Sequence, residues 1–517
     1  MYIDTQYNRV FVKSRQPSQL AHWIAGAELV NWKGHNVAVP FTLDAMRVLR
    51  NVGVKAPSPI RYEYNWPGPY KPYDHQITTS EFATLHRRCF ILNEMGTSKT
   101  ASALWAADYL MLKNVIRKVL VIAPLSTLEI VWRDEVFRFL MHRTAVVLHG
   151  DREKRERLAQ SNADFLIVNY DGLKSLHSIL TKRGDIDLII VDEVGFYRNS
   201  STDAYARLKA TIKPKQWLWL MTGTPCPSAP TDAWALAKLT DITPAPKYLS
   251  TFKQQTMMQV STHKWIPRDG WKEKVYELLQ PGIRFAKKDC LDLPPVTVES
   301  RQVELTDEQW KMYRRMKEYY AANINGETIT AVNAGDRVNK LRQILCGSVK
   351  NPETGEYVTL PHSPRLRVLM ECIEQADAKV IVIVPFKGII RTLAEEVSKT
   401  YTCEIINGGV SITKRNKIFS EFKVARDPHV LLCHPKVMAH GLNLTVADTL
   451  IFYAPIYSNE LDQQVTERIN RPGQQVPMTI VRMGGHPMEW QIYQHVENQR
   501  LSQETMLDLY NEHVLQS

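Results

Sequence analysis

The sequence predicts an α/β protein of two parallel-sheet lobes, with a helical segment between them and a small α+β unit in front. Three observations carry this. Two stretches repeat one rhythm, a short apolar strand, a polar loop and then a helical segment. Their apolar runs are continuous and β-branched rather than alternating, the mark of strands buried on both faces of a parallel sheet. At 517 residues the chain has room for about three domains at roughly 150 residues each.

In chain order, residues 1–70 form the first unit. Arg9-Val-Phe-Val12 and Val37-Ala-Val39 read as strands and Thr42 to Asn51 as a helix. Lys55 to Tyr73 holds five prolines and reads as an extended linker. Residues 71–240 form the first lobe, with strands at Cys89–Leu92, Lys118–Pro124, Ala145–Gly150, Asp164–Tyr170, Leu188–Glu193 and Trp217–Gly223. Residues 241–360 lose strand character and read as helices, one of them capped by Thr306/Asp307 ahead of Trp310 and Tyr313. Residues 361–517 form the second lobe, with strands at Lys379–Pro385, Cys403–Gly408, His429–His434, Thr449–Ala454 and Met478–Met483. The terminal helix from Pro487, with Trp490, Ile492, Tyr493 and Val496, reads as a brace on that lobe.

Composition narrows the function. Hydrophobic residues at 44% and charged residues at 23% exclude global disorder and a fibrous chain. No apolar run approaches the ~18 residues of a membrane helix, and the N-terminus lacks a signal-peptide pattern. The seven cysteines are scattered singly, which argues against a zinc site or a disulfide framework and fits a reducing cytoplasm. A net charge of +11 favours a polyanion partner.

The chemistry concentrates at strand ends, where ligands sit on parallel sheets. Asn93-Glu-Met-Gly-Thr-Ser-Lys-Thr100 follows a strand and precedes a helix. A phosphate loop needs that setting: backbone N–H groups wrap phosphates, Lys99 supplies charge and the Thr100 hydroxyl holds Mg2+. Asp192 and Glu193 end a second buried strand. Asp192 can hold Mg2+ while Glu193 takes a proton from an attacking water, as phosphoryl transfer to water requires. Thr222-Gly-Thr-Pro225 follows a third strand, and Arg468 and Arg471, three apart, are expected on one helical face. Arginines at a γ-phosphate neutralise the charge that develops during transfer. Each signal alone also fits a plain loop or a solvated face. Together, in this order, they read as an ATP hydrolase.

With these motifs the chain resembles a superfamily-two helicase motor of the Swi/Snf-like (sucrose-nonfermenting) branch over about residues 70 to 510. Beyond the segments above, the resemblance rests on Gln76 in Lys71–Gln76, Ala123–Trp132, Val168–Leu173, Leu341–Ile344, His440–Leu444 with Ala447-Asp448, and Gln464–Gln474. The ending R-x-x-R-x-G-Q is similar to this branch rather than to other superfamily-two motors, and Cys433–Leu444 is similar to phage or bacterial members. The resemblance implies RecA-like lobes and a DNA-stimulated ATPase acting as a translocase, or as a strand-separating helicase, on double-stranded or branched DNA, in fork remodelling, branch migration or strand annealing. It implies ATP contacts at Gln76, Glu94, Met95, Gly96, Thr97, Ser98, Lys99, Thr100, Gly441 and Gln464, with Mg2+ on Thr100 and Asp192. Ser126, Asn169, Lys387, Arg415, His440 and Asn443 are its candidates for gripping DNA phosphates, which gives affinity without sequence reading. A structural role fits each of those six as well.

Three positions depart from the family pattern: Ser98 for glycine, Gly195 for the histidine after D-E-x, and Asn470 for a histidine. None removes a group that must do the chemistry, so activity is expected. The rival reading is a DNA-binding scaffold with a decayed ATP site, favoured only by Ser98 and Gly195. Residues 1–70 carry eight Lys/Arg against four acids, a net of +4, with ten aromatics including Trp23, Trp32 and Trp66. That mix suits single-stranded DNA contact by stacking, and it equally suits a small aromatic core with a basic surface. A monomer in a bacterial or phage-infected cytoplasm is expected.

Overall fold

A computed structural model describes residues 1–516 apart from 243, 263, 292, 323–330, 351–354 and 439–442, and describes side chains outside 317, 319–322, 331–337 and 503–516 as well. The chain divides into two compact units, Met1–Leu291 with Gln503–Ser517, and Asp292–Ser502.

The first unit is built on seven parallel strands in the order Gly282–Ile283, Arg88–Ile91, Trp217–Met221, Ile186–Val191, Lys118–Ala123, Phe165–Asn169 and Ala145–Val147. The continuous apolar runs are explained by two cores. Val119, Val121, Ile167, Ile190 and Trp219 enter one, whereas Leu120, Ile122, Leu166, Ile189 and Leu218 enter the other. Alternate residues face opposite sides, so every position is apolar.

Ahead of this sheet, Tyr2–Asp4, Arg9–Val12, His35–Pro40 and Glu28–Trp32 form an antiparallel sheet in that order, with the helix Leu43–Asn51 after it. Residues 55–73 correct the expectation of an extended linker. They form a packed strap, because their apolar side chains find a buried face. Ala56, Ile60 and Tyr64 are buried in the same core as Trp105 and Tyr109 of the first lobe. The Trp105 indole N–H donates to the Pro67 carbonyl at 2.8 Å.

The second unit carries six parallel strands in the order Val296–Gln302, Met478–Gly484, Ala447–Phe452, Lys379–Ile383, Val430–Cys433 and Cys403–Ile406. Its terminal helix starts at Pro487 and buries Ile492, Tyr493 and Val496. The fully buried Arg365 holds it by bonding Glu489 at 2.7 Å and the Tyr453 carbonyl at 2.6 Å.

The segment 241–360, expected as one helical insertion, differs from that expectation. Residues 241–291 belong to the first unit and 293–360 to the second. Met257–Ser261 and Lys264–Pro267 form a hairpin, Gly282–Ile283 joins the first sheet, and Val296–Gln302 is an edge strand of the second. Edge strands need no continuous apolar run, and Val-Thr-Val-Glu-Ser-Arg-Gln lacks one, so it escaped a search for doubly buried strands. The cap at Thr306 is present: its hydroxyl accepts from Gln309 N at 3.3 Å, ahead of the helix Asp307–Ala322.

Candidate active site

In the first unit the chemistry-bearing residues gather at the carboxyl ends of adjacent strands. Arg88–Ile91 runs through Asn93–Ser98 into the helix Lys99–Leu112. Gly96 (φ +85°) and Ser98 (φ +56°) are left-handed, which turns the loop back over the helix start. This explains the glycine usual at position 98, since a side chain there costs about 1–2 kcal/mol. The loop tolerates serine at that cost. Lys99 is the first helical residue and is buried, its Nζ 3.4 Å from the Glu94 carbonyl. The Thr97 hydroxyl donates to the same carbonyl at 2.7 Å. From beneath, the His75 ring donates from Nε2 to the Thr97 carbonyl at 3.1 Å, and burial pushes its pKa below the ordinary value.

Gln76 is fully buried in the helix Asp74–Leu85. Its Oε1 accepts from Tyr73 N at 2.9 Å, and its Nε2 donates to the Tyr70 hydroxyl at 3.5 Å. Tyr70 belongs to the strap, which thereby reaches the helix that carries Gln76.

Two strands along, Ile186–Val191 delivers the acid pair. Asp192 accepts from the Trp132 indole at 3.0 Å and from Glu193 N at 3.1 Å. Burial pushes its carboxyl above the usual carboxylate range, while Trp132, Lys99 and the Glu193 amide pull it back. Glu193 is left-handed (φ +47°), a conformation that costs a non-glycine residue about 1–3 kcal/mol and clusters at functional sites. Its Oε2 accepts from the Thr222 hydroxyl at 3.3 Å. Thr222 follows the intervening strand Trp217–Met221, and the next residue sits close to the loop: a Cβ on Gly223 would meet Met95 at 3.2 Å.

The arrangement fits a nucleotide with a divalent cation. A helix N-terminus with a lysine draws anionic oxygens. Magnesium takes one or two carboxylates plus substrate phosphates, and the desolvated Asp192 carboxyl, with Thr100 in the first turn of the lysine helix, suits that donor set.

Ser126 and Asn169 follow or end the paired strands Lys118–Ala123 and Phe165–Asn169, at the same end of the sheet. Asn169 also caps the helix Tyr170–Lys182 by accepting from Gly172 N at 3.2 Å. In the second unit, Lys387 is exposed at the start of the helix Lys387–Val397. Arg415 is half-buried and donates to the Val410 carbonyl at 3.2 Å. Asn443 is exposed, its side-chain oxygen accepting from Thr445 N at 3.2 Å. Gln464 is buried on the helix Asn459–Thr466. His440 and Gly441 lie outside the described residues.

The arginine pair is corrected. Arg468 and Arg471 are not on a helical face, because the helix ends at Thr466 and both occupy the turns after it. Pro472 disfavours helix at the residue before it. The Arg468 carbonyl accepts from Leu444 N at 2.9 Å, tying this turn to the segment that carries Asn443. Trp132, Tyr170, His75 and Tyr70 were missed by sequence reasoning. Trp132, Tyr170 and His75 nonetheless lie within Ala123–Trp132, Val168–Leu173 and Lys71–Gln76, segments that carry the family resemblance.

Residues 27–352 match the SNF2-related domain, and residues 364–473 match the helicase conserved C-terminal domain. The chain belongs to the SNF2-related family. Among its relatives is an uncharacterized ATP-dependent helicase of Mycoplasma genitalium, 25% identical over 402 residues, 76% of this chain and 37% of that protein. Another, of Mycoplasma pneumoniae, is 25% identical over 436 residues, 81% of this chain and 40% of that protein. The chain thus spans well under half the length of these two relatives. The solved SWI2/SNF2 ATPase core of Sulfolobus solfataricus in complex with dsDNA shares 22% identity, covering 83% of this chain and 91% of that one, with a TM-score of 0.39. Within the SNF2-related pattern, Gly195 is not forced by space. A Cβ there would meet only the Thr224 carbonyl, at 3.8 Å.

Proposed function

We propose that this SNF2-related chain is an ATP-dependent DNA translocase, a DNA-stimulated ATPase acting on duplex or branched DNA. The observation that carries the reading is the left-handed Glu193, its carboxylate bonded to Thr222 and its neighbour Asp192 within the field of Lys99. A scaffold with a decayed site has no use for a strained carboxylate. In this reading Lys99 and Thr100 hold the phosphates and Mg2+ with Asp192, Glu193 takes the proton of the attacking water, and Arg468 and Arg471 neutralise the γ-phosphate. ATP turnover measured in parallel without DNA and with single-stranded, duplex and branched DNA tests it. Equal rates in all four would remove DNA from the proposal. The wording of Cys433–Leu444, with relatives in Mycoplasma, supports a phage or bacterial cytoplasmic motor.

Arg471→Ala is expected to keep ATP binding by the first unit and to lose most of the stimulation by DNA. Equal loss of binding and turnover would make Arg471 a structural residue of its turn.

The N-terminal sheet supports contact with unpaired bases. Tyr2, Phe11, Trp32 and His35 cluster there, with Trp32 5.0 Å from Tyr2, 4.6 Å from Phe11 and 6.0 Å from His35 between ring centroids, and Lys33 4.8 Å over Trp32. Trp66, by contrast, packs edge-on against Trp105 and Tyr64. Trp32→Ala should therefore weaken single-stranded DNA binding by about 1–3 kcal/mol, while Trp23→Ala, outside the cluster, should do little. Indistinguishable affinities for the two variants would assign the rings to the bland role of a small surface core.

A further inference from the structure

Gly195 removes the side chain that SNF2-related motors usually place beside the acid pair, yet the acid pair is tied to another strand end. Tyr170 is the first residue of the helix capped by Asn169. Its hydroxyl donates to the Asp192 carbonyl at 2.7 Å and lies 3.3 Å from the Glu193 carbonyl. Its ring stacks on Phe196 at 4.2 Å and 14° and meets Tyr197 edge-on at 5.5 Å. Phe196 N in turn donates to the Glu193 carbonyl at 3.1 Å. One side chain therefore grips both peptide groups of the acid pair and the turn that follows. It does so from Phe165–Asn169, a strand separated from Ile186–Val191 by Lys118–Ala123.

We infer that Tyr170 is the positioning residue that transmits DNA contact at Asn169 to the catalytic carboxylate of Glu193. The inference rests on the proposed reading in which Asn169 faces DNA. Asn169 and Tyr170 are adjacent in the chain, so a phosphate held at Asn169 displaces or fixes the tyrosine ring with it. The hydroxyl then sets the peptide planes on both sides of the Glu193 Cα. Glu193 sits in a left-handed well that its own sterics disfavour, so the direction of its carboxylate depends on what holds those planes. A misplacement of about 1 Å at a reacting group costs on the order of 10²-fold in rate, which leaves ample range for control through one hydroxyl.

The test compares wild type, Tyr170→Phe and Phe196→Leu as full chains. Turnover without DNA, turnover at saturating duplex, the KM for ATP and the Kd for duplex are measured for each. Tyr170→Phe keeps the ring and its stack and deletes only the hydroxyl, so folding is preserved. The expected result is that the ratio of DNA-stimulated to DNA-free turnover falls about tenfold while the duplex Kd and the KM for ATP hold. Phe196→Leu, which loosens the ring but keeps the hydroxyl, should give a smaller fall in the same ratio. A wild-type ratio in Tyr170→Phe overturns the inference. So does an equal loss of turnover with and without DNA, which a merely structural support of the acid pair would produce, or a loss explained by weaker duplex binding. Wild-type turnover indifferent to every DNA would instead overturn the proposed function, and this inference with it.

Discussion

Glu193→Gln is expected to bind ATP with magnesium as wild type does and to lose turnover by about 10²–10⁴-fold, the usual worth of a positioned general base. Glutamine keeps the length of the side chain and a polar atom for the Thr222 hydroxyl, which now bonds Glu193 at 3.3 Å. The left-handed backbone at residue 193 is equally costly for either side chain. The substitution therefore removes the proton acceptor and little else. Lys99→Ala is the complementary variant. It empties the buried position at the helix start and should weaken nucleotide binding itself. Binding by a fluorescent ATP analogue, alongside single-turnover hydrolysis, separates the two effects. Wild-type turnover in Glu193→Gln would mean that another group activates water, and the acid pair would have to be reassigned.

Parallel-sheet chemistry was legible in the sequence because it has a dense signal. Each central strand is buried on both faces, so Val119–Ala123 or Ile189–Val191 must be apolar at every position, and short length with β-branched content separates such a run from a buried helix. The Lys99 loop and the acid pair were legible because their position after such strands is itself information. What escaped is what depends on tertiary packing. Nothing local distinguishes Tyr170 from any tyrosine after a strand, because its two carbonyl partners lie 22 and 23 residues away. The edge strand Val296–Gln302 lacked the continuous pattern. The turn that carries Arg468 and Arg471 was read as helix because spacing was weighed above Pro472, whose steric effect on the preceding residue ends a helix. Five prolines between Lys55 and Tyr73 suggested a free linker. Proline only fixes the backbone, however, and the residues between the prolines decide whether that backbone packs.

That last point changes what truncation should do. A chain starting at Lys71 is expected to lose the folded first unit. The strap from Lys55 to Tyr70 buries Ile60 and Tyr64 and lays Trp66 edge-on against Trp105. At about 1.5–3 kcal/mol for each fully buried apolar side chain, Ile60 and Tyr64 contribute roughly 3–6 kcal/mol, and the half-buried Trp66 adds a smaller amount. The whole stability of a domain is about 5–15 kcal/mol. Polar losses add to this. The Tyr64 hydroxyl donates to the fully buried Asp108 at 2.6 Å, and Arg61 pairs with Glu81 at 2.6 Å, while Glu81 also accepts from Ser58 N at 3.1 Å. Without the strap, Glu81 keeps none of these partners and Asp108 relies on Arg143 and His142. A chain starting at Lys55 is a different case. It keeps the strap but gives up the antiparallel sheet and the helix Leu43–Asn51, whose buried Val10, Val37, Met46 and Leu49 share one apolar core with Ile60 and Trp105, and with them the Arg47 bond to the Thr84 carbonyl at 2.7 Å. This shorter chain should stay folded with a lowered Tm and retain ATP turnover at saturating duplex. Its binding to single-stranded DNA should also become less salt-sensitive, by about 0.7 in the log–log slope for each DNA phosphate that the protein no longer neutralises. Soluble yield, thermal melts and a salt titration of both chains read these outcomes. A monodisperse chain from Lys71 with wild-type turnover would show that the strap is dispensable. An unchanged salt slope in the chain from Lys55 would show that the N-terminal sheet grips no phosphate.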